Sequence, residues 1–163
     1  MLDLIITVTN TEHILEFKTQ MQKLFKMTDL GLLSYYLGIE GSQFKEAITL
    51  GQRGYAEKIL EMAGMSECNL SHTPMECRLK FKKEDEGNVV DPSLYRSVIG
   101  SLRYLVDTRP DSTHDVGIIS RFMEKPTTTH CIAVKRILRY IQGTLNYGFS
   151  YVRGGKGRLL GYS

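Results

Sequence analysis

The chain has 163 residues, of which 42% are hydrophobic and 24% charged, so it can bury a core as one domain or two small ones. No run approaches the roughly 18 apolar residues that a membrane span requires, and no basic stretch before a long apolar core marks a secretory leader. Three scattered cysteines argue against a disulfide framework and for free thiols in a reducing compartment. We therefore expect an intracellular protein, cytoplasmic or nuclear, with no membrane partner.

The net charge of +3 is unevenly distributed. Residues 1–90 carry 10 basic and 13 acidic side chains, whereas residues 91–163 carry 11 and 5, and no acidic residue follows Glu124. Such one-sign clustering is typical of nucleic-acid-binding surfaces. A solvated helix face would explain the same charges, so the pattern alone does not decide.

The N-terminal stretch predicts a strand and then a helix. Residues 2–8 are apolar and β-branched, as in a strand, but no hairpin partner is evident. Residues 9–11 offer N-caps for a helix to about Phe25, which the turn at residues 27–31 ends. The buried face of that helix is predicted to contain the following apolar residues: Ile14, Phe17, Met21, Leu24 and Phe25.

A hairpin and a second helix are predicted next. Residues 33–40 favour a strand paired with residues 47–50 across a polar turn near residues 41–43. Residues 52–63 favour a helix that Gly64 ends. From residue 65 to 90 periodicity fades, and Pro74 precedes a run of charges, so we expect a linker that is the most mobile region.

Residues 91–143 predict three consecutive helices. Asp91 and Pro92 form a start signal, and Pro110 and Pro126 mark the starts of the later helices. In the first helix, Arg96 and Arg103 flank one apolar stripe at the helical period. The stripe comprises Tyr95, Val98, Ile99, Leu102, Leu105 and Val106.

The third helix is predicted to have one apolar and one basic face. Gly143 is expected to end it. The apolar face consists of Val134, Ile137, Leu138 and Ile141, and the water-facing basic side of Lys135, Arg136 and Arg139. Residues 147–152 and 158–162 then favour a terminal hairpin across a glycine-rich loop.

Several candidate sites lack what their chemistry requires. Cys68, His72 and Cys77 could begin a zinc site, but no second ligand pair lies nearby. His130 and Cys131 are adjacent on a helix, where side chains diverge by about 100°, so helix-start and core roles are favoured over a nucleophilic pair. The loop at residues 154–157 lacks the Gly-Lys-Ser/Thr ending of a phosphate-binding loop.

The ordered motifs resemble the C-terminal part of the reverse transcriptase domain of copia-type long-terminal-repeat retrotransposon Pol polyproteins. The resemblance covers nearly the whole chain. Its pieces before residue 90 are Asp3-Leu4-Ile5-Ile6-Thr7, Phe25-Lys26-Met27-Thr28-Asp29-Leu30-Gly31, Tyr36-Leu37-Gly38-Ile39-Glu40, Gln52 with Tyr55-Ala56, and Thr73-Pro74-Met75. Its pieces after residue 90 are Tyr95-Arg96-Ser97-Val98-Ile99-Gly100-Ser101-Leu102, Thr108-Arg109-Pro110-Asp111, Ser120-Arg121-Phe122-Met123, Lys135-Arg136-Ile137-Leu138-Arg139-Tyr140 and Gly143-Thr144.

The resemblance implies an α+β fold in four parts. Residues 1–64 would be a partial palm with small antiparallel strands, two helices and a primer-grip-like hairpin, and residues 65–90 a linker. Residues 91–144 would form a three-helix, thumb-like core. Residues 145–163 would begin the connection and RNase H-like strands as a terminal hairpin, because Gly161-Tyr162-Ser163 is similar to the residues before the RNase H domain's first catalytic aspartate.

The resemblance also bears on activity. The family binds Mg²⁺ through a Tyr-Val-Asp-Asp turn, and here Asp3 would be the sole remnant of the aspartate pair, with Leu2 in the other place. Two-metal catalysis needs converging carboxylates, so we expect no polymerase activity and no cofactor for this chain alone.

The expected function is that of a reverse transcriptase fragment that binds an RNA/DNA template–primer duplex, with the remaining Pol segments as further partners. The predicted phosphate contacts are Arg96, Arg103, Lys135, Arg136 and Arg139. The alternative is a structural or interaction module, or an unexpressed retroelement relic, that binds no nucleic acid.

Overall fold

A computed structural model of the chain describes residues 4–8, 10–76, 79, 81–82 and 87–154. The chain forms two compact units, residues 1–33 and 34–163. The predicted α+β class is confirmed, because the described residues contain a four-stranded antiparallel sheet and five α-helices.

The first unit contains one helix, α1, which spans Thr11–Leu24 as predicted. The side chain of Asn10 caps it by accepting a hydrogen bond from the Glu12 amide at 2.9 Å. Lys18, within the helix, pairs with Asp29, which lies beyond its end, at 2.7 Å. The Asp29 side chain also accepts a bond from the amide of Gly31, whose φ of 75° a glycine adopts without steric cost.

Two expectations for this unit are wrong. Residues 4–8 form no strand, and no residue of α1 is buried. A strand needs a neighbour to satisfy its backbone N–H and C=O groups, and none pairs with this segment among the described residues. Both segments have the apolar residues that favoured burial, but the described residues of each are exposed or half-buried.

The second unit contains the sheet, whose strands lie in the order β1 to β4 and are all antiparallel. The strands are β1 (Tyr35–Tyr36), β2 (Ile39–Gln43), β3 (Ala47–Gly51) and β4 (Gly148–Val152). Leu37 and Gly38 form a two-residue turn between β1 and β2, with φ values of 49° and 81°. Such turns match the twist of a hairpin because both central residues are left-handed.

The predicted hairpin register is corrected by the structure. Residues 33–40 are not one strand, because the chain reverses at Leu37 and Gly38. Residues 41–43, predicted as a turn, instead belong to β2 and pair with residues 48–50. The reversal between β2 and β3 lies at residues 44–46, closed by the bond from the Phe44 amide to the Ala47 carbonyl at 2.7 Å.

Strand β4 confirms a strand at residues 148–152. It pairs along its length with β3, from Gly51 opposite Gly148 to Ala47 opposite Val152. Residues 148–152 are therefore the fourth strand of the described sheet. Its predicted partner, residues 158–162, lies outside the described residues.

The helices of the second unit form the core. They are α2 (Arg53–Met62), α3 (Pro92–Leu105), α4 (Thr113–Ile119) and α5 (Thr128–Gly143), and short 3₁₀ turns flank α4 at Pro110–Ser112 and Ser120–Phe122. The predicted stripes are buried, apart from the half-buried Val106. The fully buried residues of α3 and α5 include Ile99, Leu102, Leu105, Ile137, Leu138 and Ile141.

The ends of these helices follow the predicted signals. Asp91 caps α3, since its side chain accepts a bond from the Ser93 amide at 3.0 Å. Gly64, at φ 65°, ends α2 in a Schellman arrangement, in which the Met65 amide bonds the Leu60 carbonyl at 2.8 Å. The main packing contacts run from helix to helix and from strand to strand.

Candidate nucleic-acid interface

The two cations predicted on α3 are exposed. The Nε atom of Arg96 donates to the Met123 carbonyl at 2.8 Å, which leaves the rest of the guanidinium accessible. No hydrogen bond or ion pair engages Arg103 within the part of the chain that the structure describes. Both guanidinium groups are therefore available to an external anion.

On α5 the outcome differs. Arg136 donates to the Glu76 carboxylate at 2.5 Å and to the Thr73 hydroxyl at 3.0 Å. The Nε atom of Arg139 donates to the carbonyl of Asn69 at 2.6 Å. The expectation of a freely water-facing basic side is thus wrong for both arginines, because residues 69–76 cover them.

Lys135, the third predicted cation of α5, is exposed. Two further contacts nevertheless bind residues 69–76 to this helix. The Ser71 amide bonds the Arg139 carbonyl at 3.3 Å, and the Leu70 side chain lies against Gly143, where an added Cβ would meet it at 3.6 Å. Residues 69–76, part of the predicted linker, therefore lie along α5.

The exposed face of α3 contains a glycine, Gly100, beside which no other atom packs. At about 100° per residue, Arg96, Gly100 and Arg103 lie within roughly 60° of one another. No atom lies within 4 Å of a Cβ added at Gly100, so packing does not require this glycine. A mid-helix glycine costs about 1 kcal/mol relative to alanine. The bare backbone between two arginines is a place where another molecule can approach closely.

A groove between α3 and α4 is lined by a further arginine, Arg121. It encloses about 480 Å³ and is lined by Arg103 and Arg121, with Val106, Val116 and Met123 providing apolar surface. Arg121 is exposed, although its charge and helical phase did not mark it as a candidate contact. The signal available was its position within the family-like Ser120-Arg121-Phe122-Met123 motif.

The turn between β1 and β2 is attached to α3. The Tyr104 hydroxyl donates to the Leu37 carbonyl, and the Tyr104 ring lies 3.7 Å from the position of a Cβ on Gly38. The Tyr55 ring packs edge-on against Tyr104 at 5.2 Å. Leu37 keeps a left-handed backbone, unusual for leucine, and its side chain is 68% exposed. An exposed apolar turn is thus fixed beside the cationic face of α3.

A buried arginine lies where α3 ends. Arg109 is 2% exposed, and its guanidinium binds the Asp111 carboxylate through two bonds of 3.0 and 2.8 Å. It also donates to the Thr144 carbonyl at 3.0 Å and hydroxyl at 2.7 Å. Its Cζ atom lies 5.6 and 5.4 Å from the ring centres of Tyr140 and Tyr147.

The electrostatics of Asp111 follow from these contacts. Partial burial works to raise the pKa of Asp111, but the bonds and charge of Arg109 and the bond from the Tyr140 hydroxyl at 2.9 Å outweigh it and lower that pKa. Burial and the neighbouring Asp111 raise the pKa of Tyr140. The aspartate is therefore ionised at neutral pH, and the arginine has its counter-ion.

The described residues contain no candidate metal centre. No group of three or more His, Cys, Asp or Glu side chains converges within the described ranges, and Asp3 and Cys77 lie outside them. The loop at residues 154–157 is described only at Gly154. Equally, no helix of the described chain is long and apolar enough to cross a membrane.

His130 and Cys131 have the helix-start and core positions that were favoured. His130 is fully buried, and its Nδ1 atom accepts a bond from the Thr127 amide at 3.0 Å, which completes a capping box at the start of α5. Burial raises the pKa of the half-buried Cys131 thiol. A raised thiol pKa does not favour a nucleophile.

Comparison with known proteins identifies the chain's relatives. Residues 1–77 match the family model described as reverse transcriptase (RNA-dependent DNA polymerase). An uncharacterised mitochondrial protein of Arabidopsis thaliana is 36% identical over 146 residues, which cover 90% of this chain and 60% of the relative. No solved structure matches.

Two polyproteins are similar over most of the chain. The retrovirus-related Pol polyprotein from transposon RE1 of Arabidopsis thaliana is 35% identical over 161 residues, 99% of this chain and 11% of the polyprotein. The corresponding polyprotein from transposon TNT 1-94 of Nicotiana tabacum is 37% identical over 152 residues, 87% of this chain and 11% of the polyprotein.

These matches bear out the resemblance in its coarser form: residues 1–77 are similar to reverse transcriptases, and most of the chain is similar to retrotransposon Pol polyproteins. The chain spans 60% of the first of these relatives and about a tenth of the polyproteins.

Proposed function

We propose that the chain is a fragment from the C-terminal part of a copia-type reverse transcriptase domain that binds a template–primer duplex without synthesising DNA. The duplex would lie along the exposed face of α3, beside the turn between β1 and β2. The observation that carries this proposal is the hydrogen bond from Tyr104 to the Leu37 carbonyl, because it joins the turn and the helix face into one surface.

The chemistry of that surface suits a nucleic-acid backbone. Arg96, Arg103 and Arg121 are exposed cations, and cations near phosphates release counter-ions and so favour binding. Gly100 lets a backbone approach between two of them, and the exposed Leu37 offers apolar contact to sugars or bases. These contacts would position a duplex without reading its sequence.

The parts of the domain follow from the same proposal. The β1–β2 hairpin would act as the primer-grip-like element, and α3 to α5 as the thumb. Asp3 remains the proposed remnant of the metal-binding pair, and the Mg²⁺ of the intact family would need carboxylates from elsewhere in Pol. No step of synthesis is assigned to this chain.

The test is the salt dependence of affinity for an RNA/DNA hybrid duplex. A variant with Arg96→Ala, Arg103→Ala and Arg121→Ala should bind more weakly at low salt. The slope of log affinity against log salt should lose roughly 2 to 3 units if each side chain neutralises one phosphate. A duplex of unrelated sequence should show the same loss.

A charge-matched control removes three other exposed cations of the same unit, Lys45, Lys58 and Arg153. This variant should keep nearly the full slope. Equal losses in the two variants would mean diffuse attraction rather than a site, and a folded wild-type chain without measurable affinity would reject the function.

The alternative, a structural or interaction module without a nucleic-acid partner, has one observation in its favour. Two of the three α5 cations that suggested a polyanion have partners within the protein, Arg136 with Glu76 and Arg139 with Asn69. Under this alternative the same arginines would stabilise residues 69–76, and no duplex would bind at any salt concentration.

A further inference from the structure

The sheet and the helices of the second unit are joined at the ends of strands. The main packing contacts lie within each set of elements rather than between them. Gln52, directly after β3, is buried, and its Oε1 atom accepts a bond from the Thr108 hydroxyl at 2.8 Å. The β1–β2 turn is attached through Tyr104. Polar contacts at a few points therefore fix where the sheet lies.

The neighbouring residue, Arg109, makes the corresponding attachment for β4. Its guanidinium binds Thr144, at the end of α5, and lies under the ring of Tyr147, which precedes β4. Residues 108 and 109, adjacent in one turn after α3, thus hold the end of β3 and the start of β4. Because these two strands pair with each other, the turn fixes both sides of one ladder.

The contacts of Thr108 and Arg109 are buried, and they fix the orientation of the groups that they join. Thr108 and Arg109 are each 2% exposed, and the two bonds between Arg109 and Asp111 fix the plane of the guanidinium. A lysine would retain the charge but not the planar, many-donor geometry. The arrangement therefore depends on an arginine rather than on any cation.

We propose that Arg109, together with Thr108, is a positioning residue that sets the orientation of the sheet, and so of the Leu37 turn, relative to α3. Arg109 would touch no nucleic acid, since it is buried. Its effect on the interface rests on the proposed function, but its effect on the sheet does not.

The test measures the distance from sheet to helices directly. In a chain whose cysteines are replaced, spin labels at Lys45, in the β2–β3 turn, and at Lys58, on α2, report that distance by pulsed electron paramagnetic resonance. Labels at Lys58 and Lys135, on α2 and α5, serve as the control pair. Each variant is measured well below its own melting temperature.

In Arg109→Lys, the sheet-to-helix distance distribution should broaden while the helix-to-helix distribution stays unchanged. Thr108→Val, which removes one hydroxyl and little volume, should broaden it less. If Arg109→Lys does not fold, Thr108→Val alone decides. Unchanged sheet-to-helix distributions in the folded variants, or equal broadening of both pairs, would overturn the inference.

Duplex affinity gives the second measurement. Arg109→Lys should weaken binding about tenfold through lost preorganisation and leave the salt slope unchanged, since the exposed cations remain. Arg109→Gln, which removes the charge, should keep the slope as well, and a reduced slope in that variant would make Arg109 a phosphate contact and contradict the proposal. If the wild-type chain binds no duplex, the proposed function fails, whereas the spin-label distances still test the positioning role.

Discussion

The outer faces of α3 and α5 carry similar cations, but the structure uses them differently. On α3, Arg103 has no ion pair within the described chain, and the helix backbone is bare at Gly100. On α5, Arg136 and Arg139 bind residues 69–76. Basic residues on a helix face therefore indicate a polyanion site only where no segment of the same protein already pairs with them.

Helices α3 and α5 are also connected to each other near their C-terminal ends. Both are buried along their apolar stripes, but their C-terminal ends are additionally joined through Arg109, Asp111 and Thr144. The joint ties the end of α5 to the turn that follows α3. Loss of this joint, of the contacts that cover α5 and of the open backbone on α3 should therefore have successively smaller effects on stability.

The largest effect is expected from Asp111→Ala. The substitution leaves the Arg109 guanidinium buried without its counter-ion, and breaking a buried pair in this way costs about 3–5 kcal/mol. Because the Asp111 side chain is 32% exposed, we expect the lower end, about 3 kcal/mol, in denaturant unfolding. A loss below about 0.5 kcal/mol, as at an ordinary surface site, would show that water replaces the carboxylate.

Acid should weaken the same joint less severely. The pKa of Asp111 is lowered in the folded chain from its ordinary 3.8, so the stability it contributes is present above that value and is lost as pH falls through the folded pKa. A protonated carboxyl still accepts hydrogen bonds, so acid should lower the free energy of unfolding less than Asp111→Ala does. Unfolding curves between about pH 5 and 2 should show the decline. In Asp111→Asn, the decline of stability with falling pH should be smaller. An equal decline in this variant and in the wild type would contradict the assignment of the decline to Asp111.

An intermediate effect is expected from removing the partners of residues 69–76. Arg136→Ala with Arg139→Ala should lower stability by about 1–2 kcal/mol, since the three bonds are solvent-accessible and each contributes near the low end of roughly 0.5–1.5 kcal/mol. Hydrogen exchange of the Ser71 amide should accelerate. The charge-matched control, Arg103→Ala with Lys135→Ala, should cost under about 0.5 kcal/mol per site. Equal costs in the two variants would remove the distinction between the α3 and α5 faces.

The smallest effect on stability is expected from Gly100→Ala. Because an added Cβ meets no atom within 4 Å, alanine should stabilise α3 by about 0.5–1 kcal/mol. The same methyl group should weaken duplex binding if a backbone approaches there. Thermal unfolding and duplex titration together check this, and a variant that gains stability without losing affinity would place the duplex elsewhere.

The sequence by itself determined the helices of the second unit. A helix closes its hydrogen bonds within four residues, so its apolar stripe, N-cap and C-terminal glycine all lie in the local sequence. The start of α3 at Asp91, the end of α2 at Gly64 and the burial of Ile137 were predictable for this reason.

Only the tertiary structure decided how the strands pair. A strand obtains its hydrogen bonds from a distant segment, so β4 joins β3 across about a hundred residues with no local signal. The same dependence makes residues 4–8 strand-like in composition but not in structure. The reversal at Leu37 was missed because leucine seldom adopts a left-handed backbone.

The candidate interface divides in the same way. Composition and helical phase placed Arg96 and Arg103 on the outer face of α3, where the structure also has them. Whether a cation is free depends on what folds against it, and neither the bond from Arg136 to Glu76 nor the burial of Arg109 has a signature within its own helix or turn. Charge and period are local properties of the sequence, whereas pairing and burial are properties of the folded chain, because they depend on groups that only folding brings together.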